Sequence, residues 1–375
     1  DFTIMKNIII TLVNFTLLIL VIYNETVQYY FYKTDSETNE ISKFNNYLSE
    51  NLKTVNTNLF KNWKNADTNS TEMQMLVITK FRTGLDSENQ YFHLTLQSIF
   101  KSIYFSQQRN IFLSICNINE NNDLYLSKWN NVNIKVFKSP NWLRNDNLIN
   151  QETLHYLWCL YQMAQLNSTA KNFLLFEDDV EIDEARFFPI LNKFIKKIQN
   201  RKQYAFKLYH PKRILGFIQP ELSRVLELLA LSVILFYLAK LVIKLTFGKN
   251  IYRYTLFESM SLFLLCINLI LFISRHKFLY LRTFHKDLHL LVPAPFCCTP
   301  GMLFSKSLVE KMINQLDFHS YFKIFKSDSS NLPIDKLIYK FFKDHFIPYY
   351  YIEPNIIKHF GRISTIRDAV DPRAL

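Results

Sequence analysis

The sequence contains very little glycine: only five of its 375 residues are glycine. The closest two, Gly216 and Gly248, lie 32 positions apart. Glycine-rich phosphate-binding loops need clustered glycines, because a phosphate can approach backbone N–H groups closely only where side chains are missing. The sequence therefore excludes a P-loop and a G-x-G-x-x-G dinucleotide motif. If the protein binds a nucleotide, other groups must neutralise its phosphates.

The first part of the chain also lacks small side chains. Residues 4–23 are an apolar stretch of 20 residues with a single charge, Lys6. A helix of that length spans a hydrocarbon layer of about 30 Å. A cleaved secretory signal peptide is the alternative, but it requires small residues before its cleavage site. Because the first alanine is Ala66, we prefer an uncleaved transmembrane anchor over residues 1–23.

Two further apolar stretches lie in the middle of the chain, at residues 225–245 and 255–273. Each is long enough to cross a membrane, and only nine residues separate them. We therefore predict a transmembrane hairpin within residues 221–275, whose two outer ends lie on the same side of the membrane. A pair of core helices in a soluble fold is the alternative, but stretches of 19 residues or more favour the membrane.

The formal net charge of +12 suits an anionic partner such as nucleic acid, a nucleotide or lipid headgroups, and charge alone does not choose among them. Asn24, Asn69 and Asn167 each begin an N-x-S/T glycosylation triplet. Glycosylation takes place in the secretory pathway, so these triplets favour a lumenal soluble part. A lumenal location disfavours nucleic acid and leaves a nucleotide or membrane lipids as anionic partners.

Cysteine is also scarce, and none of the five cysteines lies in the Cys-x-x-Cys and His pattern of a zinc knuckle. Cys266 falls inside an apolar stretch, which leaves four cysteines for the lumenal part, where disulfides persist. We predict a disulfide between Cys116 and Cys159. Cys297 and Cys298 either pair with each other or pair elsewhere.

The soluble part divides at the hairpin. Residues 24–72 are polar and are predicted to form a stem, and residues 73–220 and 276–375 form the two parts of one domain. Short apolar runs typical of strands alternate with segments of helical spacing, and this alternation predicts an α/β fold with a mainly parallel sheet. The predicted strands are 75–78, 111–115, 134–137, 173–176 and 349–352, and the predicted helices are 90–105, 151–166 and 332–346.

Three consecutive carboxylates follow the apolar run 173–176: Glu177, Asp178 and Asp179. They are therefore expected at the carboxyl end of a strand, where α/β sheets bind ligands. Carboxylate oxygens are the ligands that Mg²⁺ and Mn²⁺ prefer, and such a metal could neutralise a diphosphate. The alternative is an ordinary solvated turn or a helix N-terminus.

This carboxylate triplet resembles the D-x-D motif of metal-dependent glycosyltransferases with the nucleotide-sugar A-type fold. Segments in the same order are similar to motifs of the N-acetylglucosaminyltransferase IV group. The matching segments are Thr79 and Arg82, Tyr91, Thr95 to Ser98, Leu332 to Asp335, and Pro354 to Ser364. A catalytic domain split by a two-span hairpin, behind an N-terminal anchor, resembles the Golgi post-GPI-attachment N-acetylgalactosamine transferase family. Lys207 to Pro211 and Cys297 to Pro300 also resemble that family.

The resemblance implies a Rossmann-like nucleotide-sugar fold and a set of site residues. Glu177, Asp179 and His359 would bind Mn²⁺ or Mg²⁺, and Asp335 would be the general base. Residues implied to contact the sugar nucleotide are Val77, Thr79, Arg82, Glu177, Asp178, Pro300 and Gly301. Structural alternatives exist for several of them, because an isolated His such as His359 is often an ordinary polar residue and Asp335 is also a good helix cap.

The implied function is transfer of N-acetylgalactosamine from UDP-GalNAc to a mannose of the GPI-anchor glycan, by an enzyme of the Golgi membrane with a lumenal catalytic domain. Two alternatives remain open. The protein could transfer a different sugar, N-acetylglucosamine or galactose, from UDP to a glycoprotein or glycolipid glycan. It could also be a non-catalytic lumenal protein that binds a glycolipid, with a purely structural acidic turn.

Overall fold

The described part of the chain forms two units in the computed structural model. One unit lies within residues 211–284, and the other comprises the described residues on either side of that segment. The described residues are 63–67, 69–79, 91–108, 110–118, 126, 129, 132–140, 148–166, 169–211, 217, 222–247, 256–273, 275–294, 298–315 and 333–359. The predicted anchor and nearly all of the predicted stem lie outside them.

Strands and helices alternate along the larger unit, as the sequence predicts. The strands are β1 (Met73–Thr79), β2 (Ile111–Asn117), β3 (Lys135–Lys138), β4 (Asn172–Glu177), β5 (Val180–Ile182), β6 (Ala205–Lys207), β7 (Leu290–Pro293), β8 (Gly301–Ser305), β9 (Tyr349–Glu353) and β10 (Ile357–His359). The helices are α1 (Tyr91–Phe105), α2 (Leu148–Ala164), α3 (Phe187–Ile198), α4 (Leu222–Phe247), α5 (Leu256–Ile273), α6 (Arg275–Arg282), α7 (Lys306–Gln315) and α8 (Ile334–Asp344).

Eight of these strands form one sheet in the order β3-β2-β1-β4-β8-β6-β9-β7, and β5 pairs with β10 in a small second sheet. The first half of the large sheet is parallel, as predicted. The second half is mixed, because β8 runs antiparallel to both of its neighbours, β4 and β6, and β7 runs antiparallel to β9. The fold is therefore α/β, and its sheet is less parallel than the sequence predicts.

Helices cover both faces of the large sheet. Helices α1 and α3 pack on one face, with buried side chains such as Phe92 and Phe188. Helices α2, α7 and α8 pack on the other, with buried side chains such as Leu308 and Ile338. Each fully buried side chain of this kind contributes about 1.5 to 3 kcal/mol to stability. The two packed layers fix the strand ends at which the predicted site residues lie.

The smaller unit contains the predicted hairpin. Two of its helical segments, Arg224–Thr246 and Leu256–Ile273, are long and apolar enough to cross a membrane. Only 6% of the most apolar window of the first segment is buried within the protein. That exposure fits a helix that faces lipid better than a core helix of a soluble fold.

Charged groups in the hairpin unit are paired. The Glu227 carboxylate accepts hydrogen bonds from Arg275 Nε at 2.8 Å and from Arg282 Nη2 at 3.2 Å. The ammonium group of Lys240 lies 4.5 Å from the centre of the Phe236 ring and donates to Ser259 Oγ at 3.4 Å. These contacts reduce the cost of placing ionisable side chains in apolar helices.

The predicted disulfide between Cys116 and Cys159 is present. It connects the buried strand β2 to helix α2, and Cys266 is a buried free cysteine in α5. Cys298 is also disulfide-bonded. Its pairing with Cys297 stays a prediction, because Cys297 lies outside the described residues.

Replacing both Cys116 and Cys159 by Ala is expected to lower the free energy of unfolding by about 2 to 4 kcal/mol, because the bond restricts the unfolded chain across 43 residues. Thermal unfolding of the detergent-solubilised protein without reductant measures the change. Cys266→Ala, which breaks no disulfide, is the control. A double variant that melts at the wild-type temperature would show that this bond does not stabilise the protein.

Candidate functional site

Glu177, Asp179 and His359 converge at one edge of the large sheet. Each offers one ligand atom, and these three atoms lie within 4.8 Å of one another. Glu177 is the last residue of β4, and Asp179 follows in the turn between β4 and β5. His359 ends β10, 180 residues beyond Asp179 in the chain, and lies opposite Val180 in the β5–β10 pair. The acidic triplet therefore meets the histidine through strand pairing.

The turn that holds the carboxylates is fastened to helix α1. The Thr95 hydroxyl donates to the carbonyl of Asp178 at 2.8 Å and accepts from the backbone N–H of Val180 at 3.1 Å. Ser98, one helical turn later, accepts from the backbone N–H of Ile182 at 3.2 Å. These bonds replace the backbone partners that a turn lacks, so the orientation of the triplet is fixed before any ligand binds.

The Glu177 carboxyl is in an unfavourable environment for a negative charge. Burial and, next, the charge of Asp179 raise its pKa from 4.5 to about 8, although His359 and the hydrogen bond from Thr299 (2.9 Å) oppose the rise. The surface of Glu177 is nevertheless partly exposed, so solvent moderates the effect. A cation beside these carboxylates would remove the repulsion and restore the charged form of Glu177.

His359 lies close to Asp179, with 3.2 Å between His359 Nε2 and Asp179 Oδ1. The Tyr209 ring is centred 5.4 Å from the His359 imidazole and restricts the movement of the imidazole on that side. Two carboxylate oxygens and an imidazole nitrogen are a suitable ligand set for Mn²⁺. Three protein ligands also leave coordination positions for substrate oxygens, as catalytic metal sites require. The residues present therefore fit a divalent metal.

Four other predicted site residues lie in or beside the strands around the triad. Thr79, at the end of β1, donates to Asp178 Oδ2 at 3.1 Å. Pro300 accepts the Glu177 N–H through its carbonyl at 2.9 Å. Val77 is fully buried in the apolar core, and a Cβ at Gly301 would lie 2.5 Å from Ile357 Cδ1. The structure thus gives Val77 and Gly301 packing roles, and their predicted contacts with the sugar nucleotide stay predictions.

Asp335 lies in the first turn of α8, where its carboxylate accepts the N–H of Lys336 at 2.8 Å. It is not among the residues that cluster around His359 in the described structure. Asn69 is exposed in a turn, as a glycosylation acceptor must be. Four predicted residues lie outside the described residues: Asn24, Arg82, Asn167 and Cys297.

Several residues that shape the site are assigned no role by the sequence analysis. Thr95 and Ser98 support the turn, and Thr299 binds Glu177. All three lie in segments that resemble family motifs, so their positions are visible in the sequence. Their contacts cannot be read from the sequence, because each contact joins residues more than 80 positions apart.

The raised pKa of Glu177 makes stability depend on pH. Between pH 4.5 and about 8 the folded protein holds a proton on Glu177 that the unfolded chain has lost. The free energy of unfolding therefore falls as the pH rises through this range. Because the side chain is partly exposed, we expect this contribution to be about 1 to 2 kcal/mol.

Thermal melts of metal-free protein from pH 5 to pH 8 test this expectation. The melting temperature of wild type is expected to fall more steeply with pH than that of Glu177→Gln, which cannot ionise. Glu181→Gln, a change two positions beyond Asp179, serves as the matched control and is expected to keep the wild-type slope. Equal slopes for wild type and Glu177→Gln would contradict the raised pKa.

The comparison with protein families confirms the resemblance found in the sequence. The profile described as GPI-N-acetylgalactosamine transferase PGAP4 matches residues 73–358. One similar solved structure is that of a protein from Desulfovibrio desulfuricans G20, described as a nucleotide-diphospho-sugar transferase. The two sequences are 12% identical, the match covers 36% of this chain and 57% of that chain, and the TM-score is 0.23. On the strength of the family match, which spans well over half of its residues, the chain belongs to the GPI-N-acetylgalactosamine transferase PGAP4 family.

Proposed function

We propose that the protein is a metal-dependent, inverting glycosyltransferase that moves N-acetylgalactosamine from UDP-GalNAc to a mannose of the GPI-anchor glycan. The observation that supports this most directly is the convergence of Glu177, Asp179 and His359 at the carboxyl edge of the sheet. Membership of the family supports the choice of donor and acceptor. The enzyme acts in the Golgi lumen, with its hairpin in the membrane.

Glu177, Asp179 and His359 hold the metal in this proposal. The bound metal supplies a Lewis acid for the diphosphate that leaves with uridine. The protein prepares the site by fixing the turn through Thr95 and by restricting the His359 ring against Tyr209. A prearranged site of this kind lowers the cost of reorganisation during the reaction.

Asp335 is the proposed general base. It accepts the proton of the mannose hydroxyl while that oxygen forms a bond to C1 of the donor sugar. The bond between C1 and the diphosphate oxygen breaks with its electron pair on UDP, and the configuration at C1 inverts. Asp335 lies in the first turn of α8, and a carboxylate is the kind of group that can accept this proton.

The acceptor explains the membrane hairpin. A GPI glycan is tethered to the lumenal surface of a membrane, and α4 and α5 are inserted in the chain between two strands of the catalytic sheet, β6 and β7. Confining enzyme and acceptor to the same membrane raises their effective concentration without any additional contact.

Turnover of a panel of UDP-sugars by the full-length, detergent-solubilised protein tests the proposal. We expect transfer from UDP-GalNAc to a GPI-linked glycan with Mn²⁺ and none with EDTA. Preference for UDP-N-acetylglucosamine or UDP-galactose would replace the proposed donor and keep the enzyme class. A folded protein that neither binds UDP nor transfers any sugar would support the glycolipid-binding alternative.

Removing the metal ligands tests the site itself. Glu177→Ala and Asp179→Ala are each expected to lower kcat/KM by at least 100-fold, because each removes one of three ligands and leaves the leaving diphosphate less well neutralised. Glu181→Ala removes a nearby carboxylate that pairs with Lys358 instead, so it is expected to retain activity. Full transfer by the double variant Glu177→Ala, Asp179→Ala would refute the proposed site.

The Asp335→Asn variant tests whether Asp335 acts as the general base without a role in donor binding. We expect kcat to fall by about 100-fold or more, with the affinity for UDP unchanged, because the amide cannot accept the proton. Asp344→Asn, at the opposite end of the same helix, is the control. If Asp335→Asn retains the wild-type kcat, another group is the base.

A further inference from the structure

Lys207 is a buried cation that the proposed reaction does not yet use. It is the last residue of β6, and its side chain is 0% exposed. Within the described structure, Lys207 Nζ forms no hydrogen bond. Burying an ammonium group without a partner is energetically unfavourable, so packing alone does not explain why a lysine lies here.

Strand β6 runs parallel to β4, since both are antiparallel to β8. Lys207 and Glu177 therefore end their strands at the same edge of the sheet. In the strand register, Met302 pairs with both Leu175 and Lys207. At standard strand spacings this places the Cα atoms of Glu177 and Lys207 roughly 12 Å apart, a separation that two long side chains and a diphosphate can bridge.

Two tyrosine hydroxyl groups lie on the same face as Lys207, one from a buried and one from a partly buried residue. Side chains alternate along a strand, so Lys207 shares a face with Ala205, Met302 and the residues of α2 that pack there. Tyr156, on α2, is 4% exposed, and its hydroxyl has no hydrogen-bond partner within the described residues. Among the described residues, the Tyr349 hydroxyl donates to the sulfur of Met302, at 3.9 Å, which is a weak acceptor.

Electrostatic contacts connect these groups to both ends of the proposed site. Tyr156 interacts with the charge of Glu177, and Lys207 and Tyr349 both interact with Asp335. Burial lowers the pKa of Lys207 to about 7, and the Asp335 carboxylate opposes this shift. No ion pair joins Lys207 to Asp335 in the part of the chain that the structure describes, so the two groups attract each other without direct contact.

The described residues between Glu177 and Asp335 thus present three donors, and two of these, Lys207 Nζ and the Tyr156 hydroxyl, have no hydrogen-bond acceptor among those residues. A group rich in acceptor oxygens and carrying negative charge would satisfy all three. We propose that Lys207, with the Tyr156 hydroxyl, binds the diphosphate of the sugar-nucleotide donor. The inference rests on the proposed function, since it takes the nucleoside diphosphate as the ligand.

In this role Lys207 would bind the diphosphate in place of a glycine-rich loop, which the sequence lacks. A chain without a glycine-rich loop cannot surround a diphosphate with backbone N–H groups. The triad would hold a metal that supplies part of the positive charge, and the Lys207 ammonium would supply more of it to the diphosphate as the C1–O bond breaks. Because Lys207 donates from a buried position, water does not weaken the contact.

The test compares UDP with uridine, which lacks the phosphates, in titration calorimetry of the full-length protein with Mn²⁺. Lys207→Met is expected to weaken UDP binding by at least 10-fold and to leave uridine binding unchanged. Tyr156→Phe removes a single oxygen and is expected to weaken UDP binding by about 3-fold or more. Lys207→Arg is expected to retain more affinity for UDP than Lys207→Met.

Lys202→Met, a change at an exposed lysine five positions earlier, is the matched control and is expected to bind UDP like wild type. Thermal melts without nucleotide show whether each variant folds. Lys207→Met is expected to melt at or above the wild-type temperature, because it removes an unpaired buried charge. If Lys207→Met does not fold, the UDP affinity of Tyr156→Phe tests the proposal instead.

UDP affinity within 2-fold of wild type in the folded variants would overturn the inference, whatever their transfer activity. Equal losses of UDP and uridine affinity would also overturn it, because the lysine would then support the nucleoside and not the diphosphate. Failure of the proposed function has a different result: wild type itself would bind neither UDP nor UDP-sugars with Mn²⁺.

Discussion

The antiparallel pairing of β5 with β10 is the interaction on which the candidate site depends. It places His359 opposite Val180 and within 3.2 Å of Asp179. The two short strands lie on opposite sides of the membrane hairpin in the sequence. A candidate metal site assembled from such distant segments exists only when the whole sheet has formed, so any metal that binds there would be linked to the stability of the fold.

The charges of the site are poorly satisfied by the protein alone. Glu177 is partly buried beside Asp179, which favours its protonated form, and the buried Lys207 Nζ has no hydrogen-bond partner among the described residues. Unfavourable charge environments of this kind are common at functional sites, because the bound ligands supply the opposite charges that the protein itself does not provide. Substrate and metal are then expected to bind cooperatively, since each supplies charge that favours the other.

Much of this arrangement is visible in the sequence, and the missing part has a physical reason. The apolar strand before Glu177, the two long apolar helices and the disulfide depend on local pattern or on few candidates, and all three are found. Helix α3 has a clear apolar period that the sequence analysis leaves out. The short strands β6 and β8, and with them the burial of Lys207, depend on pairing between distant segments, which no local pattern contains.

The position of β8 sets an order for biosynthesis. This strand lies between β4 and β6, yet the ribosome makes it after both α4 and α5. Until residues 301–305 emerge, β4 has one unpaired edge next to the carboxylate triplet, and β6 has no neighbour within the sheet. Folding of this part of the sheet must therefore wait until α4 and α5 have been made. Defects in the folding of these two apolar helices would consequently appear as misfolding of the sheet that carries the candidate site.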